Sequence, residues 1–523
     1  MTEAGLRGPI LRGSSKPQVA GKAAVLLSAI LVVGVLCTGV ARADGPTVTG
    51  TGSSFAALEI EQWKGDVANK YDLTINFQAG GSTQGRLNYL NGTVDFGASD
   101  IEYQGEEQRL IDASPRRDFV YVPVSAGPVA LMFNVIGTDG RRISDLNISR
   151  RDACRIFTEP EISWNDPSIA ATNPGLPLPA KKIRPVVRND GAGTSYVVSE
   201  YCIAVAPDVW NAFRQYIAER RPDQNSVPLR EGLPVSTWPQ GIGNSSGATA
   251  SSGVAQTVQG SADTVTYVDA APTIVAPIDG NPAPVMSIQN PAGVFQRPVP
   301  AAATVALAYA AARPNGTFQL SYDGADPRAY FPSTYSYVIA QTNGFDPAKG
   351  RVLGAFLNYA VTAGQKNVEA LEYARLSEVL VNLALDKVQQ IPGAPTRPTD
   401  LGGAPPPPDV LAGTSAGVGS GGLGGGAGAA GAPGAGGVAG AVAGAVLTPE
   451  QAAAAATAAA VAEAQKAANE EAAAADLASA EEIAAGQGGP GNREVLFTLL
   501  QGAALVGLGV FLSKGVRTSW QKT

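Results

Sequence analysis

Three glycine-containing segments set the terms for this chain: Thr49-Gly-Thr-Gly-Ser-Ser-Phe55, Thr93-Val-Asp-Phe-Gly-Ala-Ser-Asp100 and Arg188-Asn-Asp-Gly-Ala-Gly-Thr194. Each places hydroxyls and unshielded backbone amides just before a helix-like run. Glycine lets the backbone approach a ligand closely, and a helix N-terminus offers unpaired N–H groups at its positive dipole end. Arg188 adds a planar fork that matches tetrahedral oxygens. This is the inventory of a site for a small oxyanion.

Around those segments the apolar residues alternate between two periods. Ala56, Ile60, Trp63 and Val67 recur at helical spacing, residues 73–77 alternate like a strand, and Leu87 with Leu90 suggests a second helix. Val94, Phe96 and Ala98 then alternate into Asp100. Strand, helix and strand in that order imply a parallel sheet covered by helices. Ligands of such sheets collect beyond the C-terminal strand ends, where Ser54, Ser82 and Asp100 fall.

Further along, strands are expected at 119–124, 129–135 and 183–187, with a helix ending at Phe157 and another entered at Thr194. Residues 241–260 are too small and polar for a core strand. Strands at 264–268 and 336–340 and long helices around 352–363 and 368–389 complete the expected fold. Trp63 and Trp164 are read as packing residues.

The 523-residue chain carries a net charge of −7 and no histidine. The acidity argues against nucleic acid, which needs a basic face. Without histidine the usual general base, the common catalytic triads and most zinc sites are gone. Catalytic residues, metal and cofactor are therefore all expected to be none.

Residues 1–43 have the form of a signal peptide: Arg7, Arg12, Lys16 and Lys22, an apolar run over 23–40, and Ala41-Arg-Ala43 as the cleavage site. If retained, the run could instead span a membrane with its basic flank inside. Cys37 follows Leu36, which is not the small residue a lipoprotein signal wants. Cys154 and Cys202 are left, either as a disulfide, as suits an exported protein, or as two buried thiols.

Residues 393–447 read as a Gly/Ala/Pro-rich flexible linker, about 40 Å end to end. Residues 448–486 read as an Ala-rich helix about 55 Å long, started by Thr448-Pro-Glu450 and stopped at Gly486. Its apolar residues do not form a heptad, which favours a spacer over a coiled coil. Residues 494–513 read as a transmembrane helix, since the uncharged apolar stretch Val495 to Leu512 covers about 27 Å, close to a bilayer core. The basic tail 514–523 places the C-terminus in the cytoplasm and the main domain outside. Gln501 and the glycines at 502, 507 and 509 leave a buried or interfacial helix as the alternative.

Gly50-Thr-Gly-Ser-Ser-Phe55, Gln78-Ala-Gly-Gly-Ser82, Thr93 to Asp100 and Val187-Arg-Asn-Asp-Gly-Ala-Gly-Thr-Ser195 together resemble the phosphate-binding proteins (PstS) that feed ABC phosphate importers. Val265-Thr-Tyr-Val-Asp269, Tyr330-Phe-Pro332, Gly364-Gln365 and Leu371-Glu-Tyr373 follow in the family's order, so the resemblance runs from about Val48 to Gln390. It implies an α/β, two-lobed periplasmic-binding-protein-like (type II) fold, each lobe a mixed or parallel sheet flanked by helices. Lobe I would comprise 44–126 and 270–392, and lobe II 127–269.

It also implies a phosphate site. Ser54 and Ser82 would donate hydroxyls and Phe55 its N–H. Arg188, held by Asp190, would grip the anion, and Gly193 and Thr194 would donate amides and the threonine hydroxyl. Asp100 would accept the phosphate proton and so reject sulfate, which has none. Taken one at a time, these residues also fit blander roles: Asp100 as a helix cap, Arg188 with Asp190 as a surface ion pair, the serines as turn residues. Ala192 stands where the family usually has serine, a loss of one donor worth about 1 kcal/mol. No Gly-x-x-x-x-Gly-Lys-[Ser/Thr] loop is present, so transport would need separate permease and ATPase subunits. A membrane-anchored surface receptor or structural protein reusing the fold is the alternative.

Overall fold

The first half of the fold follows the alternation of the N-terminal segments. In this computed structural model, which describes residues 45–104, 115, 117–408 and 410, β1 (Val48–Gly52) leads into α1 (Ala57–Tyr71), which buries Ile60, Trp63 and Val67. β2 (Ile75–Gln78), α2 (Ser82–Asn91) and β3 (Phe96–Ser99) follow. β1 lies between β2 and β3, parallel to both. Gly52 has φ +141°, and a Cβ there would lie 2.0 Å from the Ala98 carbonyl oxygen. β1 and β3 therefore approach closely where the first loop begins.

The two strands expected at 119–124 and 129–135 are one, β4 (Phe119–Asn134), buried along nearly its whole length. Its prolines sit where a missing N–H does least harm. Pro123 adjoins a register shift, and Pro128 is the last residue paired to one neighbour before Val129 begins pairing with another. After α3 (Arg150–Thr158) come β5 (Arg184–Arg188), α4 (Gly193–Val205), β6 (Ser246–Ala248), α5 (Ala250–Gly260) and β7 (Thr264–Asp269). The chain then reaches β8 (Ser333–Gln341), α6 (Pro347–Val361) and α7 (Glu378–Val388). The main sheet has eight strands in the order β2-β1-β3-β8-β4-β7-β5-β6. It is mixed, because β4 and β8 run antiparallel to their neighbours.

Other expectations change as well. Residues 241–260, read as loop, contain the short edge strand β6 and the whole of α5, because Val254, Ala255 and Val258 recur at helical spacing and bury. The single helix expected over 368–389 is two elements. A 3-10 turn, Ala363–Leu371, ends at Glu372 with φ 63°, and an extended stretch precedes α7. That stretch is held by Ala374 N–H donating to the Ala126 carbonyl at 2.8 Å and Leu376 N–H to Gln365 Oε1 at 3.0 Å. The chain also stays with the second half beyond Ala270: Ser287–Gln289 pairs with Asn147–Ile148, and Met286 N–H donates to the Leu131 carbonyl.

The packed chain extends beyond Pro392. Glu378 N–H donates to the Pro405 carbonyl at 2.8 Å, and Arg375 donates to the Gly403 carbonyl at 2.7 Å. Among the described residues no helix is long and apolar enough to cross a membrane. The segments 1–43, 448–486, 494–513 and 514–523, and the linker from 411 on, lie outside the described residues.

Cys154 on α3 and Cys202 on α4 form a disulfide, with Cα atoms 5.6 Å apart. The bridge braces the helix whose first turn carries Gly193 and Thr194. Closing a loop of 48 residues is worth about 4 kcal/mol in chain entropy. Replacing both cysteines with serine should lower the unfolding free energy by about 2–4 kcal/mol in denaturant titrations; an unchanged midpoint would mean that the bridge does not form.

Candidate functional site

The carboxyl of Asp100, buried just past β3, is the centre to which the first half's hydroxyls turn. Ser53 Oγ accepts from the Phe55 and Ala56 N–H groups, at 3.1 and 3.3 Å, and donates its proton to Asp100 Oδ1. Ser82, the first residue of α2, donates to Asp100 Oδ2 at 2.9 Å and accepts from the Asp100 N–H at 3.1 Å. Burial raises the Asp100 pKa, opposed by the Ser53, Ser336 and Ser82 hydroxyls and by the Arg188 charge. Ser53 was not among the expected site residues. A serine after Gly52 reads in sequence as a turn residue, and only the approach of β3 brings an acid to it.

The second half supplies the cation and the free donors. Arg188, the last residue of β5, is 1% exposed. Its Nε donates to Asp190 Oδ1 at 2.7 Å and its Nη2 to Asp190 Oδ2. Asp190 also accepts from the Ala250 N–H at the start of α5, at 3.2 Å. In α4 the bond from Tyr196 N–H to the Ala192 carbonyl, 3.3 Å, comes only after Gly193, Thr194 and Ser195, whose amides have no partner inside the helix. Thr194 Oγ1 is buried and makes no hydrogen bond. The Ala192 N–H donates to the Ser236 carbonyl at 2.9 Å.

The two sets meet at one seam. A Cβ on Gly193 would lie 2.4 Å from Asp100 Oδ2 and 2.6 Å from Ser82 Oγ, so only glycine lets the α4 N-terminus come this near. Thr83 N–H donates to the Gly191 carbonyl at 2.9 Å across the seam. Ser54 Oγ reaches the other side too, 3.1 Å from Ser251 Oγ. Phe55 directs its amide to Ser53 and its carbonyl to the Tyr373 hydroxyl, at 2.5 Å. Ser54, Phe55, Ser82, Asp100, Arg188, Asp190, Gly193 and Thr194 are thus gathered in one place from four stretches of chain.

The pattern of the PBP superfamily domain matches residues 38–363, the stretch that builds both sides of this seam. The chain belongs to the PBP superfamily. It is similar to the phosphate-binding protein PstS of Xylella fastidiosa (strain 9a5c), 28% identical over 341 residues, 64% of this chain and 82% of that protein. It is also similar to the phosphate-binding protein PstS of Haemophilus influenzae, 26% identical over 65% of this chain and 92% of that protein. A solved phosphate-binding protein from Stenotrophomonas maltophilia is 18% identical with a TM-score of 0.46, over 69% of this chain and 99% of that one.

Behind the seam of this PBP superfamily member lie two more buried acids. Glu59, on α1, has both carboxyl oxygens buried without a hydrogen bond. Burial holds its pKa well above the usual range, the Ser125 hydroxyl opposing and Asp269 adding to the rise. Asp269, at the end of β7, is pushed up to about 7 by burial, with the Ser251 hydroxyl and Arg188 opposing and Asp100 adding. Among the described residues no group of three or more histidines, cysteines or acids could hold a metal ion.

A carboxyl whose folded pKa is raised binds its proton more tightly in the native than in the unfolded chain. Stability then falls as pH rises from the unfolded value, about 4.3 for glutamate, towards the raised one. Without added anion, the unfolding free energy should therefore rise on acidification from pH 8 to pH 5, and Glu59→Gln should remove up to about 1.4 kcal/mol per pH unit of that slope. Equal slopes for both proteins in denaturant titrations would show Glu59 ionised in the fold.

Proposed function

We propose that the seam binds inorganic phosphate between two lobes that close on it, and that the protein captures this anion outside the cytoplasm for an ABC-type importer. The observation that carries the reading is the combination of a buried guanidinium, a helix N-terminus with unpaired amides, an unpartnered buried Thr194 hydroxyl and a single acid, Asp100, facing them. Donors alone would suit any oxyanion. A carboxyl facing them favours an anion that brings a proton, so phosphate is accepted and sulfate meets acceptor against acceptor. The PstS relatives, each named a phosphate-binding protein, support the same ligand.

Ser54, Phe55, Ser82 and Asp100 act from one lobe and Arg188, Gly193 and Thr194 from the other, with Asp190 orienting the arginine. Binding draws the lobes together because the anion contacts both only in the closed form. The Ser82 and Phe55 donors, turned to Asp100 and Ser53 in this structure, swing to the anion as it enters. Residues 494–513 anchor the chain in the membrane, and the segment before them tethers the binding domain near its permease, raising the effective concentration of captured anion there.

Calorimetry of the purified full chain against phosphate and sulfate tests the reading. Arg188→Ala should weaken phosphate binding by about 100-fold or more, as expected for losing charged hydrogen bonds in a buried site. Asp100→Asn should admit sulfate and cut the phosphate preference by about tenfold or more. The raised Asp100 pKa gives the sign of a pH effect. As pH falls the acid takes up a proton and becomes a donor, so sulfate binding by the unmodified protein should strengthen on acidification, while Asp100→Asn should lack this component. Unaltered titrations for both variants would refute the assigned site.

A further inference from the structure

Ser53, fully buried after Gly52, has a hydroxyl with no freedom left. A hydroxyl carries one proton and two lone pairs. Both lone pairs of Ser53 are taken, by the Phe55 N–H at 3.1 Å and the Ala56 N–H at 3.3 Å, so its bond to Asp100 Oδ1 can only be a donation. Ser82 keeps a choice that Ser53 lacks. It accepts from the Asp100 N–H at 3.1 Å, which leaves it one lone pair and its proton to turn towards Oδ2, 2.9 Å away. A donor that cannot reverse favours the charged carboxylate, which it binds more strongly than the neutral acid. It also bars Oδ1 from carrying a proton, since two protons would then face each other.

We infer that Ser53 is a specificity-determining residue of the anion site: its proton on Oδ1 holds Asp100 as an acceptor and reserves Oδ2 for the anion. The inference rests on the phosphate reading above. Oδ2 is the oxygen beside α4, 2.4 Å from where a Cβ on Gly193 would stand. When Ser82 turns from Oδ2 to an entering anion, Ser53 is the hydroxyl still bonded to the acid. Ser336 Oγ, also buried, makes no hydrogen bond. With Ser53 in place, Oδ2 accepts the proton that phosphate brings. Without it, the acid loses a donor to its charged form, takes a proton from solvent at higher pH and offers that proton to sulfate.

The other charges around Asp100 leave this role to Ser53. Burial raises the Asp100 pKa, and the Ser53 hydroxyl leads the groups that oppose the rise, ahead of the other hydroxyls and the Arg188 charge. Arg188 is itself paired with Asp190. From α2, Arg86 donates to Ser99 Oγ at 3.0 Å, one residue before the acid. A small cavity joins Asp100 to α4 and to residues 313–320. There Glu102 is paired with Arg313 and accepts from Thr317 Oγ1 at 3.0 Å, and Glu200 accepts from the Tyr322 hydroxyl at 2.8 Å. Tyr196 and Tyr337 line the same cavity, and burial pushes both phenols up, so they stay neutral. Asp269, at the end of β7, is pushed up to about 7 by burial. It is common to all the proteins compared below, so its titration does not distinguish them.

Sulfate has no proton to lose near neutrality, so its binding profile reports the protein. The purified full chain, Ser53→Ala, Ser53→Cys, Asp100→Asn and the double variant of Ser53→Ala with Asp100→Asn are titrated calorimetrically with sulfate and inorganic phosphate from about pH 5 to about pH 8.5. In Ser53→Ala the onset of sulfate binding should move up by about one to two pH units, the effect of one hydrogen bond to a charged group. The preference for phosphate at about pH 7 should fall by about tenfold or more. Ser53→Cys, whose thiol is a weaker donor, should shift the onset the same way by less. On the Asp100→Asn background the alanine should leave the sulfate profile where it is. Ser53 also ties the loop before α1 through the Phe55 and Ala56 amides, and loss of that tie alone would lower stability without moving the profile. A Ser53→Ala profile that overlays that of the unmodified chain, binding absent from both included, overturns the proposal and leaves the phosphate reading intact. Where the alanine variant does not fold, an unshifted Ser53→Cys profile does the same. Absence of phosphate binding by the unmodified chain overturns both.

Discussion

The fork between Arg188 and Asp190 is the interaction on which the rest of the site depends. A guanidinium taken out of water is costly unless its donors are met, and here Asp190 meets two of them from two residues away. Asp190 is itself fixed by the Ala250 N–H. A Cβ on Gly81 would lie 2.6 Å from Asp190 Oδ2, so the acid is walled in from the other side of the seam. The arginine is thereby held in one position with one end left over. Such preorganisation places positive charge where an anion can reach it without first rearranging the protein.

Charge balance ties this fork to the acids behind it. The buried guanidinium of Arg188 stands against Asp190, Asp100 and Asp269, with Glu59 behind them. If all four were ionised, a further anion would be strongly opposed. Burial resolves the conflict by keeping Glu59 and Asp269 disposed to hold protons, which leaves the arginine, the α4 amides and the hydroxyls as the field that an anion would meet in the proposed site. The contact between Ser54 and Ser251 lies where these two layers touch.

The two sides are joined by β4, which pairs with β8 along its first part and with β7 from Val129 on. A shared strand makes the sheet continuous, so the seam is an opening between loops beyond strand ends rather than a gap between separate bodies. The disulfide from α3 to α4 and the return of residues 373–377 along β4 brace that seam from either side. Tyr373 comes to bear on Phe55 and Asp269 because the chain leaves the helical path at Glu372.

Much of the site was legible in the sequence because its parts are local. Glycines that permit close approach, hydroxyls before helices and an Arg-x-Asp spacing are properties of short segments, and the order of those segments carries the resemblance to PstS. The βαβ start and the ends of β5, β7 and β8 followed from period alone. The continuity of β4 did not, because Pro123 and Pro128 resemble strand breaks until pairing partners show where an N–H is dispensable. The same holds for α5 in a serine-rich stretch, for the break at Glu372, and for the packing of residues 393–408. Ser53, Ser251, Asp269 and Glu59 lay beyond reach for a related reason. Their chemistry comes from burial and from neighbours distant along the chain, 47 residues away for Ser53 and 197 for Ser251. Sequence by itself determined which local segments can present donors to an anion. Tertiary structure alone decided which acids lose water, and hence which of them hold a proton, since desolvation is a property of the surroundings and not of the residue.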